Sequence, residues 1–270
     1  MTFAASRAAA ALLIACLAAP VLRAQVEYYD LEAGRPLRVQ DAYAIERYGW
    51  DVQAGAGTAS CSCSCSCSYL LDIALAYGVL PRTQIEVTAP FASSPEPAGG
   101  RMSGLEGLGF GALYNLNTET LSLPALAVGA HVTTTAGSLA PAAPLLSLEG
   151  IATRSWPGLR LHLNAAATIG PDDATASASD RSRWFAGAAV DHAWPLRSLL
   201  AVAELTAERP LGAGGAVAWS AGAGARFQAA PQFVLDAAVS RRFSGDEPAW
   251  MATLGITWSF AVRALMPVHP

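Results

Sequence analysis

Leu159-Arg160-Leu161-His162-Leu163-Asn164-Ala165-Ala166-Ala167-Thr168-Ile169 carries Leu, Leu, Leu, Ala, Ala and Ile at its odd positions and Arg, His, Asn, Ala and Thr at its even ones. Successive side chains of a strand point to opposite faces, so this stretch has one apolar face and one wet face. The pattern recurs across residues 47–260. Tyr69, Leu71, Ile73, Leu75, Tyr77 and Val79 oppose Leu70, Asp72, Ala74, Ala76 and Gly78. Val217, Trp219, Ala221, Ala223, Ala225 and Phe227 oppose Ala218, Ser220, Gly222, Gly224 and Arg226. Twelve strands are expected, at approximately 44–54, 69–79, 83–91, 105–114, 121–133, 145–154, 159–169, 183–194, 199–208, 216–227, 233–242 and 250–260.

Connector lengths alternate. Residues 80–82, 115–120, 155–158, 195–198 and 228–232 are short, whereas 93–103 and 170–182 are long, polar and rich in Gly, Ser or Pro. Membrane barrels of bacterial outer membranes combine short periplasmic turns, longer outside loops and an even strand number. The expected fold is therefore all-β, a transmembrane antiparallel up-and-down β-barrel of 12 strands with both ends on the periplasmic side. Two positions strain the pattern. Glu149 and Ile151 share a face, and Arg241 falls on the outward face, where it is tolerated only near a membrane interface.

Composition agrees with a wall that is apolar at every second residue. The 270 residues are 53% apolar and only 14% charged. The longest charge-free run, 120–148, is broken by Pro124, Pro141 and Pro144, so it does not suit a spanning helix. A formal charge of −4 argues against a nucleic-acid partner.

Arg7, an apolar run over 8–21 and the exit Leu22-Arg23-Ala24 read as an export signal covering 1–24, with cleavage before Gln25. Leu13-Ile14-Ala15-Cys16 offers an alternative, a lipobox that would lipidate Cys16. Residues 25–41 then form an N-terminal periplasmic segment, 42–260 the barrel and 261–270 a C-terminal tail. The stretch Thr253-Leu254-Gly255-Ile256-Thr257-Trp258-Ser259-Phe260 resembles the C-terminal signal of bacterial outer-membrane barrels, with Trp258 and Phe260 turned to lipid in an aromatic girdle. Ten further residues follow where many such proteins stop.

Cys61, Cys63, Cys65 and Cys67 alternate with serines between the first two strands. They read as a low-complexity insertion. Soft-metal binding and disulfide formation remain alternatives, because thiolates bind zinc or copper(I) and disulfides form outside the cytoplasm.

The inward face is charged. Arg47, Asp51, Asp72, Glu86, Glu149, Arg160, His162, Arg183, Asp191, Glu204, Glu208, Arg226, Asp236 and Arg242 comprise eight acids and five Arg beside His162. The lumen-facing candidates singled out are Asp72, Glu86, Arg160, His162, Asp191, Glu204, Glu208, Arg226 and Asp236. They can select permeants or merely pair across neighbouring strands. Glu204 and Glu208 lie four apart, so both are expected to face the passage. His131, His162 and His192 fall on strands and His269 in the tail. No nucleotide fingerprint is present, and no catalytic, cofactor or metal site is assigned.

Tyr77-Gly78-Val79-Leu80-Pro81-Arg82-Thr83-Gln84-Ile85-Glu86-Val87, Ala203-Glu204-Leu205-Thr206-Ala207-Glu208-Arg209-Pro210-Leu211 and Phe243-Ser244-Gly245-Asp246-Glu247-Pro248-Ala249-Trp250 resemble a family of proteobacterial outer-membrane barrels known as phenol meta-pathway or transporter-like proteins. The resemblance implies a Gram-negative outer-membrane protein passing small molecules, aromatic ones among the candidates, and it brings no catalytic residues. The expected function is a passive channel or transporter for small solutes. A structural or adhesive barrel and a lipid-modifying barrel enzyme using His162 are the alternatives. Expected partners are outer-membrane lipid and lipopolysaccharide, the barrel-assembly machinery and a small-molecule permeant.

Overall fold

The computed structural model describes residues 21–22, 30–32, 34–61, 67–96, 99–171, 182–211, 216–244, 249–262 and 265–266. Twelve long antiparallel strands form the wall: β1 (Gly49–Cys61), β2 (Cys67–Leu80), β3 (Thr83–Pro95), β4 (Gly109–Asn117), β5 (Ala125–Thr133), β6 (Leu145–Trp156), β7 (Leu159–Ile169), β8 (Arg183–Ala193), β9 (Leu199–Pro210), β10 (Ala218–Ala230), β11 (Phe233–Arg242) and β12 (Ala249–Val262). Each pairs with its neighbours in sequence. The ring closes where β12 pairs with β1 from Ala249↔Cys61 to Ala261↔Gly49. Closure leaves no open edge, the condition for spanning a bilayer with strands. Two short stretches add to the sheet: Arg101–Leu105 pairs antiparallel with the end of β3, and Val21–Leu22 pairs with the end of β12.

Most expected strand limits agree within a few residues. The first is displaced: β1 begins at Gly49, not at 44. Tyr48 has a positive φ of 71° and donates its N–H to Gly78 O, while Gly49 N donates to Glu46 O. This turn separates β1 from residues 44–46, which lie inside the ring. The displacement carries β1 into the Cys/Ser tract, where Ser60 pairs with Cys67 across the β1–β2 hairpin. Cys63 and Cys65 lie outside the described residues. Among the described residues no group of three or more His, Cys, Asp or Glu side chains is placed to hold a metal.

The two faces of the wall separate as alternation requires. On β7, Leu163 is 48% exposed on the outside and Asn164 only 5% on the inside. Leu71, Ile73 and Leu75 on β2, Leu205 on β9 and Leu235 on β11 also face outward and exposed. An outer surface this apolar is stable only against an apolar solvent, which a bilayer supplies. At the short-turn end Trp50 stacks on Tyr77 with centroids 4.3 Å apart, and Trp258 packs on Phe260 at 4.6 Å. Phe233 stacks on Trp258 at 6.1 Å. Phe233 and Trp258 suit an interface, whereas Phe260, expected to face lipid, is only 8% exposed and packed against Trp50 and Trp258. Arg241 lies at the opposite end with its guanidinium 5.2 Å from the Trp250 ring, which explains its tolerance on the outward face.

Candidate functional site: an occupied lumen

The expected N-terminal segment, 25–41, is described from residue 30. From there to residue 46 the described residues lie inside the barrel. The chain enters at the short-turn end, rises to Arg38 and returns. Its two limbs are tied at the base: Leu31 N donates to Asp41 Oδ2 at 2.9 Å and Asp41 N donates to Leu31 O at 3.0 Å. Asp41 Oδ1 also accepts from Tyr43 N at 3.0 Å. Gly34, with φ of 78°, supplies the left-handed residue at which the ascending limb bends.

Apolar packing and backbone satisfaction hold this loop. Leu31, Leu37 and Val39 are buried against Ala189, Leu200, Val202, Val234 and Ala238 of the wall. Ala42 packs with Leu113, Ala125, Ala127 and Ile151. Ile151 therefore faces inward because it has an apolar partner there, which accounts for the irregular alternation of β6. Each such Leu or Val side chain, fully buried, stabilises the docked loop by about 1.5–3 kcal/mol.

Wall side chains satisfy the loop's exposed backbone. Glu204 Oε2 accepts from Arg38 N at 2.8 Å and Val39 N at 2.9 Å. Asn164 accepts from Gln40 N at 2.7 Å and donates to Gln40 O at 3.1 Å. Thr153 Oγ1 accepts from Ala42 N at 2.9 Å, and Gln84 accepts from Ile45 N at 2.9 Å. The Arg38 guanidinium donates to Glu208 at 2.7 Å and lies over the Phe185 ring. Tyr43 donates to Glu119 in the β4–β5 turn at 3.2 Å. Burial, with the Glu119 carboxylate adding to it, pushes the Tyr43 hydroxyl up to about 12, so it stays a donor at any ordinary pH.

The nine lumen-facing candidates all lie on the inner side and divide into four sets. Glu204 and Glu208 anchor the loop and do not border open space as free carboxylates. Arg226 and Asp236 lie beneath Glu32 and Arg35, buried to 0% and 4% exposure. Arg160, His162 and Asp191 form a wall network: Arg160 grips Asp191 through two bonds, of 3.0 and 2.7 Å, and His162 Nε2 lies 2.9 Å from Asp191 Oδ2. His162 Nδ1 is 3.0 Å from Thr153 Oγ1. A Thr-His-Asp series resembles a hydrolytic triad in composition only. Its hydroxyl already accepts the Ala42 N–H, and all three side chains are buried inside the wall instead of at the lipid edge where a lipid-modifying enzyme needs them. The arrangement supports the loop.

Asp72 and Glu86 form the fourth set. They border a cavity of about 740 Å³ that the loop leaves along β2 to β6, together with Glu149, His131 and Thr88. Neither Asp72 nor Glu86 forms a salt bridge among the described residues. The carboxylates are shaped into this wall by missing side chains: a Cβ on Gly111 would meet Glu86 Oε1 at 2.6 Å, and one on Gly129 would meet Glu149 Oε1 at 2.5 Å. Glu149 also accepts a bond from Gln40 Nε2. A second recess of about 510 Å³ opens at the short-turn end beside Tyr43, Trp156 and His192.

The inward charges are legible in the sequence, but the residues that meet them, Arg35, Arg38, Gln40 and Tyr43, are not. The available signal was the apolar content of the inner face. Leu113, Ile151, Leu200, Val202 and Val234 make poor walls for water and good ones for a packed segment.

Fold and interior together define a closed 12-strand barrel with a partly filled lumen. Its architecture is similar to that of an outer membrane channel from Pseudomonas putida F1, with a TM-score of 0.61 at 15% identity over 86% of this chain and 100% of that one. NanC porin gives 0.58 at 7% identity, and KdgM porin 0.54 at 10%, each over 77% of this chain and 98% of that one. At such identities the likeness is one of fold. No family profile and no curated protein matches the chain.

Proposed function

We propose that this chain is an outer-membrane channel for small solutes whose passage is the acidic half of the lumen beside the docked loop. The cavity of about 740 Å³ inside a closed barrel carries this reading. It falls within the range of sites that enclose one small molecule. Its border joins carboxylates, which outnumber the arginines Arg38, Arg47 and Arg183 there, to apolar surface from Leu113, Ile45 and Phe185. That mixture suits small cations and neutral solutes with an apolar body, monoaromatics included, and disfavours anions. The similarity in fold to channels and porins and the phenol meta-pathway resemblance support the same reading; an export signal over 1–24 is proposed with it, and Val21–Leu22, which pair with β12, would then leave on cleavage. Outer-membrane lipid, lipopolysaccharide and the barrel-assembly machinery are then the macromolecular contacts.

A second reading, a non-transporting structural barrel, draws support from the loop that fills much of the lumen. Conductance separates the two. The chain from Gln25, refolded and inserted in a planar bilayer, is expected to give small discrete conductance steps in KCl. Folded protein that inserts without any conductance would favour the structural barrel.

A further inference from the structure

Arg226 and Asp236 stand directly opposite one another on β10 and β11, with both side chains inward. Opposite charges in such cross-strand positions ordinarily pair. Here each turns to the loop instead: Arg226 Nη2 lies 3.4 Å from Glu32 Oε1, and Asp236 Oδ2 lies 3.8 Å from Arg35 Nη1. Glu32 and Arg35 are joined by the bond from Arg35 N to Glu32 O at 3.0 Å. The loop thus offers one acid and one base to a wall that holds one base and one acid.

The fit is incomplete. Arg226 Nε and Nη1 and both Asp236 oxygens have no hydrogen-bond partner among the described residues. A buried charge that loses its only partner is costly, and a wall holding two isolated charges would bind the loop permanently. Two opposite charges side by side avoid that penalty, because each can replace the partner it loses with the other. The same provision recurs higher up. Glu208, which holds Arg38, also lies within electrostatic reach of Arg183 and Arg242 on the wall.

We propose that Arg226 and Asp236 are an exchange latch: each pairs with the loop when it is docked, and they pair with one another when it withdraws. The loop is then a displaceable plug, held by bonds that the wall can re-form within itself. This rests on where the loop lies and not on what crosses the barrel, so it stands or falls apart from the transport reading.

Hydrogen exchange at the Leu31, Val39 and Ala42 amides, whose acceptors are Asp41, Glu204 and Thr153, reports loop withdrawal directly. The chain from Gln25 is refolded in micelles, and gel mobility before and after heating verifies the barrel. Glu32→Gln weakens only the docked state and is expected to speed exchange by about tenfold, the scale of one charged hydrogen bond. Asp236→Asn removes the partner Arg226 needs after withdrawal. Arg35 retains its docked bonds to Ala54 O and Ile256 O, so exchange is expected to slow severalfold. Both changes remove one negative charge, so net charge alone cannot move them in opposite directions. Acceleration or no change in Asp236→Asn, or no change in Glu32→Gln, would overturn the latch. Asp236→Ser, which also removes the carboxylate, is read the same way if the Asn variant does not fold.

Discussion

Excising residues 32–40 is expected to raise single-channel conductance severalfold while leaving a folded barrel. The joint is already prepared, since Asp41 N and Leu31 O are 3.0 Å apart and a short linker can span them. The loop removed includes Leu37 and Val39, packed between Leu200, Val202 and Val234. Losing their burial should lower stability by about 1.5–3 kcal/mol per side chain. The ladder itself, closed by the β12–β1 pairing, loses no bond. Bilayer recordings of the excised and intact chains make the comparison. Equal conductance would mean that the loop does not obstruct the path.

The second large effect concerns the outer face. Leu163 stands outward near the middle of β7 and Ala166 inward, where it borders the open cavity. Leu163→Arg should destabilise the barrel in vesicles by about 2–4 kcal/mol, the cost of an Arg near the bilayer midplane. Ala166→Arg should cost much less, because its charge meets the acidic lumen. Denaturant unfolding of the vesicle-bound barrel measures both. Equal losses at the two positions would contradict the assignment of faces.

The wall was legible because it stands between two solvents. A strand with lipid on one side and a wet or packed interior on the other must alternate, and 159–169 does so with little exception. Short turns such as Pro81-Arg82 and Pro231-Gln232 then fixed strand order. The loop was not legible for a physical reason. Residues 25–41 are polar with Gly34 and Pro36, as any exposed connector would be, and their docking depends on partners more than a hundred residues away: Asn164, Glu204 and Asp236. Local pattern carries no trace of such contacts. Only the wall recorded them, as Ile151 on the wrong face of β6 and as Leu200, Val202 and Val234 where a wet pore would carry polar groups. The same omission left the loop-holding part of Glu204 and Glu208 unread. Both face inward as periodicity requires, but Glu204 accepts backbone N–H groups of the loop and Glu208 holds Arg38.

Ion selectivity is thereby expected to reside in Glu86 and Glu149, the carboxylates that lie over the Gly111 and Gly129 positions beside the cavity. The reversal potential of the intact channel under a KCl gradient tests this most directly. A potential of the sign that marks preference for K⁺ is expected, and it should move toward zero in the Glu86→Gln, Glu149→Gln double variant. A preference for Cl⁻, or a K⁺ preference unchanged in the double variant, would contradict a passage through the acidic half of the lumen.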